Sequence, residues 1–147
     1  MGYEMGVRQD VLVVTGDGKW TRCEAEASLR EAGRAAWAIS SPAVLLDLRR
    51  VELQATVTDV YELARVMGQA FAPGTWHAVV MPRSDPAGLG RFYETAARNR
   101  GLMVRRFSNT TEAAGWLREA VLRSRKRPTR EPEQAANHRT EFALLLT

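Results

Sequence analysis

The chain has 147 residues, of which 45% are hydrophobic and 26% charged, with a formal net charge of +4. That length suits one domain, and that composition excludes collagen-like, coiled-coil and wholly disordered chains. No apolar run approaches the roughly 20 residues needed to span a bilayer. Residues 1–10 lack a signal-peptide pattern, so a cytoplasmic location is expected. The single cysteine, Cys23, excludes an intramolecular disulfide and a multi-cysteine metal site.

The positive charge is unevenly placed. Residues 1–122 carry 15 basic and 14 acidic side chains, while residues 123–147 carry 6 basic and 3 acidic. The expected division is a domain over 1–122 and a basic, partly apolar tail over 123–147. A nearly neutral body argues against nucleic-acid binding.

Tyr3, Met5 and Val7 alternate with polar or small residues and predict a strand. Gln9-Asp10 reads as a turn into the apolar strand Val11–Val14, which Gly16-Asp17-Gly18 should stop. Thr21 with Glu24 is a capping-box pattern opening a helix whose face is Ala25, Leu29, Ala32 and Ala36. This helix should end near Trp37–Ile39, ahead of Ser41-Pro42. Ala43–Leu48 predicts a strand, Arg49–Ala55 a polar loop, and Thr56 or Thr58 the cap of a second helix. Its apolar face is Val57, Val60, Ala64 and Met67, with Leu63 alongside, and Pro73-Gly74 ends it. His77–Met81 is a further strand, followed by a loop over Pro82–Gly90 and a helix with Leu89, Phe92, Tyr93 and Ala96 on one face. Gly101 supplies a helix C-cap before the strand Leu102–Phe107. Asn109 with Glu112 again marks a helix start, with Ala113, Trp116, Leu117, Ala120 and Val121 as its packing face.

The expected architecture is therefore α/β, in the order β-β-α-β-α-β-α-β-α. It has one mostly parallel five-stranded sheet, an antiparallel N-terminal edge strand and right-handed βα crossovers. Strands in sequential order with one hand of crossover gather their helices on one face, yet the central strands are apolar on both sides. Three covers are open for the second face: a symmetric second copy, giving a homodimer, an apolar lipid-like ligand, or the tail residues Phe142–Leu146. Of the four tryptophans, Trp37 and Trp116 fall on packing faces, whereas Trp20 and Trp76 are expected to be partly exposed.

This order resembles the STAS domain of anti-sigma-factor antagonists. The residues that carry the resemblance are Val44-Leu45-Leu46-Asp47-Leu48-Arg49, Arg91-Phe92-Tyr93-Glu94, Asn99 through Phe107, and Glu112-Ala113-Ala114-Gly115-Trp116-Leu117. It spans roughly residues 3–122. It implies a non-enzymatic regulatory module that binds a protein partner of the kinase-like anti-sigma-factor type. Such modules are switched by phosphate on a Ser or Thr in an Asp-Ser-Ser/Thr-Gly stretch at the start of the helix after the strand Val44–Leu48. Here Ala55 stands at the Asp, Thr56 at the first Ser, Val57 at the phosphorylated position and Thr58 at the Gly. The acceptor itself is replaced, and the flanking Thr56 and Thr58 are the candidate modification sites; the commoner role of such residues is a plain helix cap.

The alternative is a small-ligand module. Arg49, Arg50 and Arg83 should lie at the carboxyl ends of strands, where open α/β sheets bind ligands, and suit a nucleotide-like anion. An apolar molecule on the sheet is the other form of this reading. Enzyme chemistry has little to stand on. His77, Ser84 and Asp85 have the residue types of a hydrolase triad, but no G-x-S-x-G turn surrounds Ser84. Gly88-Leu89-Gly90 lacks the third glycine of a dinucleotide fingerprint. Two histidines without metal-ligand spacing give no metal site, and no cofactor is expected. Cys23, in the first turn of a helix, reads as an inert thiol or a reactive one.

Overall fold

In the computed structural model, residues 2–85 and 88–126 are described. The strands are β1 (Gly2–Arg8), β2 (Val11–Thr21), β3 (Ala43–Gln54), β4 (Trp76–Val80) and β5 (Met103–Phe107). The helices are α1 (Arg22–Ala38), α2 (Val57–Ala70), α3 (Leu89–Asn99) and α4 (Thr110–Lys126). The strands lie side by side in chain order. β1 pairs antiparallel with β2, and β2 to β5 are parallel. The α/β order read from the sequence is the observed one.

The first hairpin closes on Gln9 and Asp10, both with positive φ (50° and 67°). Two left-handed residues give the primed turn whose twist matches that of paired strands. Thr21 caps α1 as expected. Its hydroxyl accepts from the Glu24 N–H at 3.2 Å, and the Glu24 carboxylate accepts from the Thr21 N–H at 3.2 Å.

Alternation along the strands divides the core in two. Leu12, Val14, Val44, Leu46, Val79 and Val104 face α1, α2 and α3. Val11, Ala43, Leu45, Ala78 and Val80 face Ala113, Leu117 and Val121 of α4. Three crossovers that step the same way with one hand must land on one side. α4 follows the edge strand, has no further strand to reach, and returns across the opposite face. α4 thus covers the second face over β3 and β4, a cover outside the three expected from the sequence; Phe142–Leu146 lies outside the described residues. Trp76 and Trp116 meet edge-on there, 5.3 Å between ring centres. α4 also runs past Leu122 to Lys126.

The largest departure from expectation is the length of β2 and β3. Gly16-Asp17-Gly18 does not stop β2, and Arg49–Gln54 is strand rather than loop, paired from Asp17↔Arg50 to Thr21↔Gln54. Trp20 explains the extension. Its ring is 3% exposed, and its indole N–H donates to the Asp17 carbonyl at 2.8 Å. It lies so close over Gly16 that a Cβ there would sit 2.6 Å from the ring. Trp20, Val51 and Leu53 prolong the core beyond the rest of the sheet, so Trp20 is a core residue and not a partly exposed one.

Gly33 performs a similar service between helices. A Cβ on Gly33 would stand 2.2 Å from the Ala70 carbonyl oxygen, a backbone atom that cannot swing aside. Gly33→Ala should therefore destabilise the fold by about 1–3 kcal/mol through overpacking, despite alanine's better helix propensity. Urea unfolding reads this directly: a lower midpoint is expected, and an unchanged or higher midpoint would contradict the close α1–α2 crossing.

Candidate functional site

The functional candidates converge where β3 leaves the sheet and α2 begins. Thr15 pairs with Asp47 and Asp17 with Arg50, so two steps along β2 span three along β3. β3 thus carries a bulge. The Asp47 carboxylate stitches it in place. One oxygen accepts from the Arg49 N–H (3.3 Å) and Nε (2.9 Å), the other from Arg49 Nη2 (2.9 Å). This bidentate pairing holds the Asp47 carboxyl below the usual carboxylate range. Arg50 and Arg83 are exposed. Both lie beyond Asp47↔Val80, the last pair of β3 with β4. Arg83 follows the carboxyl end of β4, but Arg49 and Arg50 lie within β3, which runs on to Gln54, and not at its end as expected. The Arg49 guanidinium is already engaged by a carboxylate, which reduces the positive charge it offers to an anion.

Beyond the bulge, the β2–β3 arm fixes two helix starts side by side. Thr21, the cap of α1, pairs with Gln54, two positions before Thr56, the cap of α2. Arg22 Nε lies 3.5 Å from Asp59 Oδ1, joining the first turns of both helices. The Thr56 hydroxyl accepts from the Asp59 N–H at 3.2 Å, and the Asp59 carboxylate accepts from the Thr56 N–H at 3.0 Å. That reciprocal box, first through the Thr56 N–H, keeps the Asp59 carboxyl below its ordinary value. Of the two caps the sequence allowed, Thr56 is the cap, and Thr58 is an exposed residue of the first turn.

Val57 is 53% exposed and does not join the packing face of α2, which consists of Val60, Leu63, Ala64 and Met67 with Val66. Tyr61, one turn on and 48% exposed, stands beside it. The Arg100 guanidinium lies 4.8 Å from the centre of the Tyr61 ring. The exposed Val57–Tyr61 ridge was missed in the sequence because Val57 falls in helical step with the core positions. At the first position of the helix it projects past the sheet rather than onto it.

The triad residue types do not assemble. His77 is fully buried on the three-helix face of β4, and neither ring nitrogen has a hydrogen-bond partner. Phe71 meets it edge-on, 4.6 Å between ring centres. Asp85 instead accepts from the Gly90 and Arg91 N–H groups at the start of α3 and pairs with Arg106 at 3.3 Å. Cys23 is exposed beside Arg22. Among the described residues, no three His, Cys, Asp or Glu side chains gather around a common point. An open groove of about 1370 Å³ separates α4 from β1 and β2, with Glu4, Arg8, Val13, Thr15 and Arg118 in its walls.

Several solved structures share this architecture. An anti-sigma factor antagonist from Mycobacterium paratuberculosis superimposes with a TM-score of 0.58 at 20% identity, over 80% of this chain and 93% of that one. An uncharacterised protein with a SpoIIAA-like fold from Shewanella loihica gives 0.52 at 18% identity, over 79% and 92%. The chain folds as a STAS-like domain. No family model matches it, and no curated protein matches it by sequence. No helix among the described residues of this STAS-like domain is long and apolar enough to cross a membrane.

Burial pushes the His77 imidazole down to about 3 from an ordinary 6.5. The unfolded chain therefore takes up this proton first. The stability tied to neutral His77 is whole above pH 6.5 and declines as pH falls toward 3, by at most roughly 1.4 kcal/mol per pH unit. His77→Leu should remove that part of the slope. Unfolding free energies of the two proteins, measured from pH 7 to 4, should shift in favour of the variant as pH falls; parallel curves would contradict the burial of a neutral histidine.

Proposed function

We propose that this STAS-like domain is a non-enzymatic regulatory module that binds a protein partner through the face at the start of α2. The observation that carries this reading is the exposed apolar pair Val57 and Tyr61 beside the exposed Thr56 and Thr58. Adjoining exposed apolar side chains mark interaction sites more often than single ones do, and aromatic residues are enriched at interfaces. The likeness to an anti-sigma factor antagonist supports the same reading and suggests a kinase-like anti-sigma factor as the partner, in the cytoplasm.

Modification would act on the same face. The Thr56 hydroxyl is engaged in the cap, which leaves Thr58 as the better placed acceptor. A phosphate there would add nearly two negative charges to the contact surface, in a position the helix dipole favours. Val57, at the position the family modifies, offers an apolar contact instead. A nucleotide-like anion at Arg49, Arg50 and Arg83 has less support, because Asp47 already engages Arg49.

The test uses purified kinase-like anti-sigma factors of the source organism and the full chain. Val57→Glu/Tyr61→Glu changes only exposed side chains and should leave folding stability within about 0.5 kcal/mol per site. The expected result is saturable binding by the wild type, weakened at least about tenfold in the double variant. Equal binding by both proteins, or no binding to any such factor, would overturn the proposal.

A further inference from the structure

A second feature lies inside the molecule, on the side of the sheet away from α4. A cavity of about 100 Å³ opens between the carboxyl ends of the strands and the first turns of the three helices above them. Leu29, Leu46, Leu63 and Val79 form its inner wall, and the half-buried Leu53, Met81 and Leu89 its outer one. No charged side chain lines it.

The polar side-chain groups in the wall are all committed elsewhere. The Ser28 hydroxyl donates to the Ala25 carbonyl at 2.7 Å. The Trp20 indole donates to Asp17 at 2.8 Å. The Tyr93 hydroxyl donates to Met67 Sδ at 3.1 Å. A water molecule needs two to four polar partners to settle in an interior site, and the side chains of these walls offer it only the spare acceptor lone pairs of the Ser28 and Tyr93 hydroxyls. Protein interiors are packed to crystal density, and a void of this size forfeits contacts on every side. An engineered apolar cavity of ~150 Å³ stays dry and takes up benzene. The cavity here is somewhat smaller and is partly open to solvent between half-buried apolar side chains. It also lies where open α/β sheets receive ligands, at the carboxyl ends of parallel strands.

We propose that this cavity is a binding site for a small uncharged apolar molecule about the size of one aromatic ring. The site is independent of the partner face proposed above, and either can fail without the other.

Benzene is the probe, added to the full chain. It should raise Tm by about 2–4 °C at saturation, since it binds only the folded state. In methyl NMR spectra, the resonances of Leu29, Leu46, Leu63 and Val79 should move, while those of Leu117 and Val121 across the sheet stay in place. Ala25 borders the cavity, and Ala25→Leu should fill it and abolish both effects. Three results would overturn the proposal: no methyl shift in the wild type, equal shifts on both faces of the sheet, or an undiminished response in the filled variant. If A25L does not fold, the wild-type methyl shifts decide alone.

Discussion

The parallel ladder between β2 and β3 is the constraint on which the rest of the structure depends. It carries the N-terminal hairpin on one side and the shorter strands on the other. It alone continues past the end of the sheet, from Asp17↔Arg50 to Thr21↔Gln54. Trp20 over Gly16 makes the extension worth its cost in backbone entropy, because a buried aromatic contributes more apolar area than any other side chain could there. The bulge at Leu48–Arg49 lets β3 take an extra residue without losing the pairing, and Asp47 holds that residue's backbone and side chain together. Shared pairing then delivers Thr21 and Gln54 to the same level, so α1 and α2 start as neighbours and Arg22 reaches Asp59.

This geometry separates two kinds of work. The sheet and the inner faces of the helices are committed to the core, apart from the small apolar cavity among them. The outer face of α2 is not committed. Its first turn projects past the sheet, which exposes Val57 and Tyr61 while the capping box keeps the turn rigid. A rigid, partly apolar surface loses little entropy on association, which suits a module that acts by contact rather than by chemistry. The hydrolase residue types are engaged in the fold: His77 packs against Phe71, and Asp85 accepts from the N–H groups that open α3.

Much of this was legible in the sequence, for identifiable reasons. The helix starts at Thr21 and Asn109 were marked by side chains that bond to nearby backbone, a local signal that tertiary context does not alter. The element order followed from apolar runs and glycine punctuation. The β2–β3 arm was not legible, because Gly16-Asp17-Gly18 has the composition of a turn and its extended backbone depends on Trp20 packing from four residues away. The exposure of Val57 was hidden because helical spacing gives a direction and not the reach of the sheet beneath it. The placement of α4 over the second face was not legible because uniform handedness governs crossovers between strands and leaves a terminal helix free to cross over. The cavity needs three helices and the sheet placed together, and no spacing along the chain announces it.

The most direct measurement is amide hydrogen exchange on the chain alone and with the anti-sigma factor proposed as its partner. The expected result is new protection at the end of the β2–β3 arm and the start of α2, over residues 50–61. The groove between α4 and β1 should exchange as before. Protection in that groove, with residues 50–61 unchanged, would contradict the assignment of the α2 face as the surface through which this domain acts.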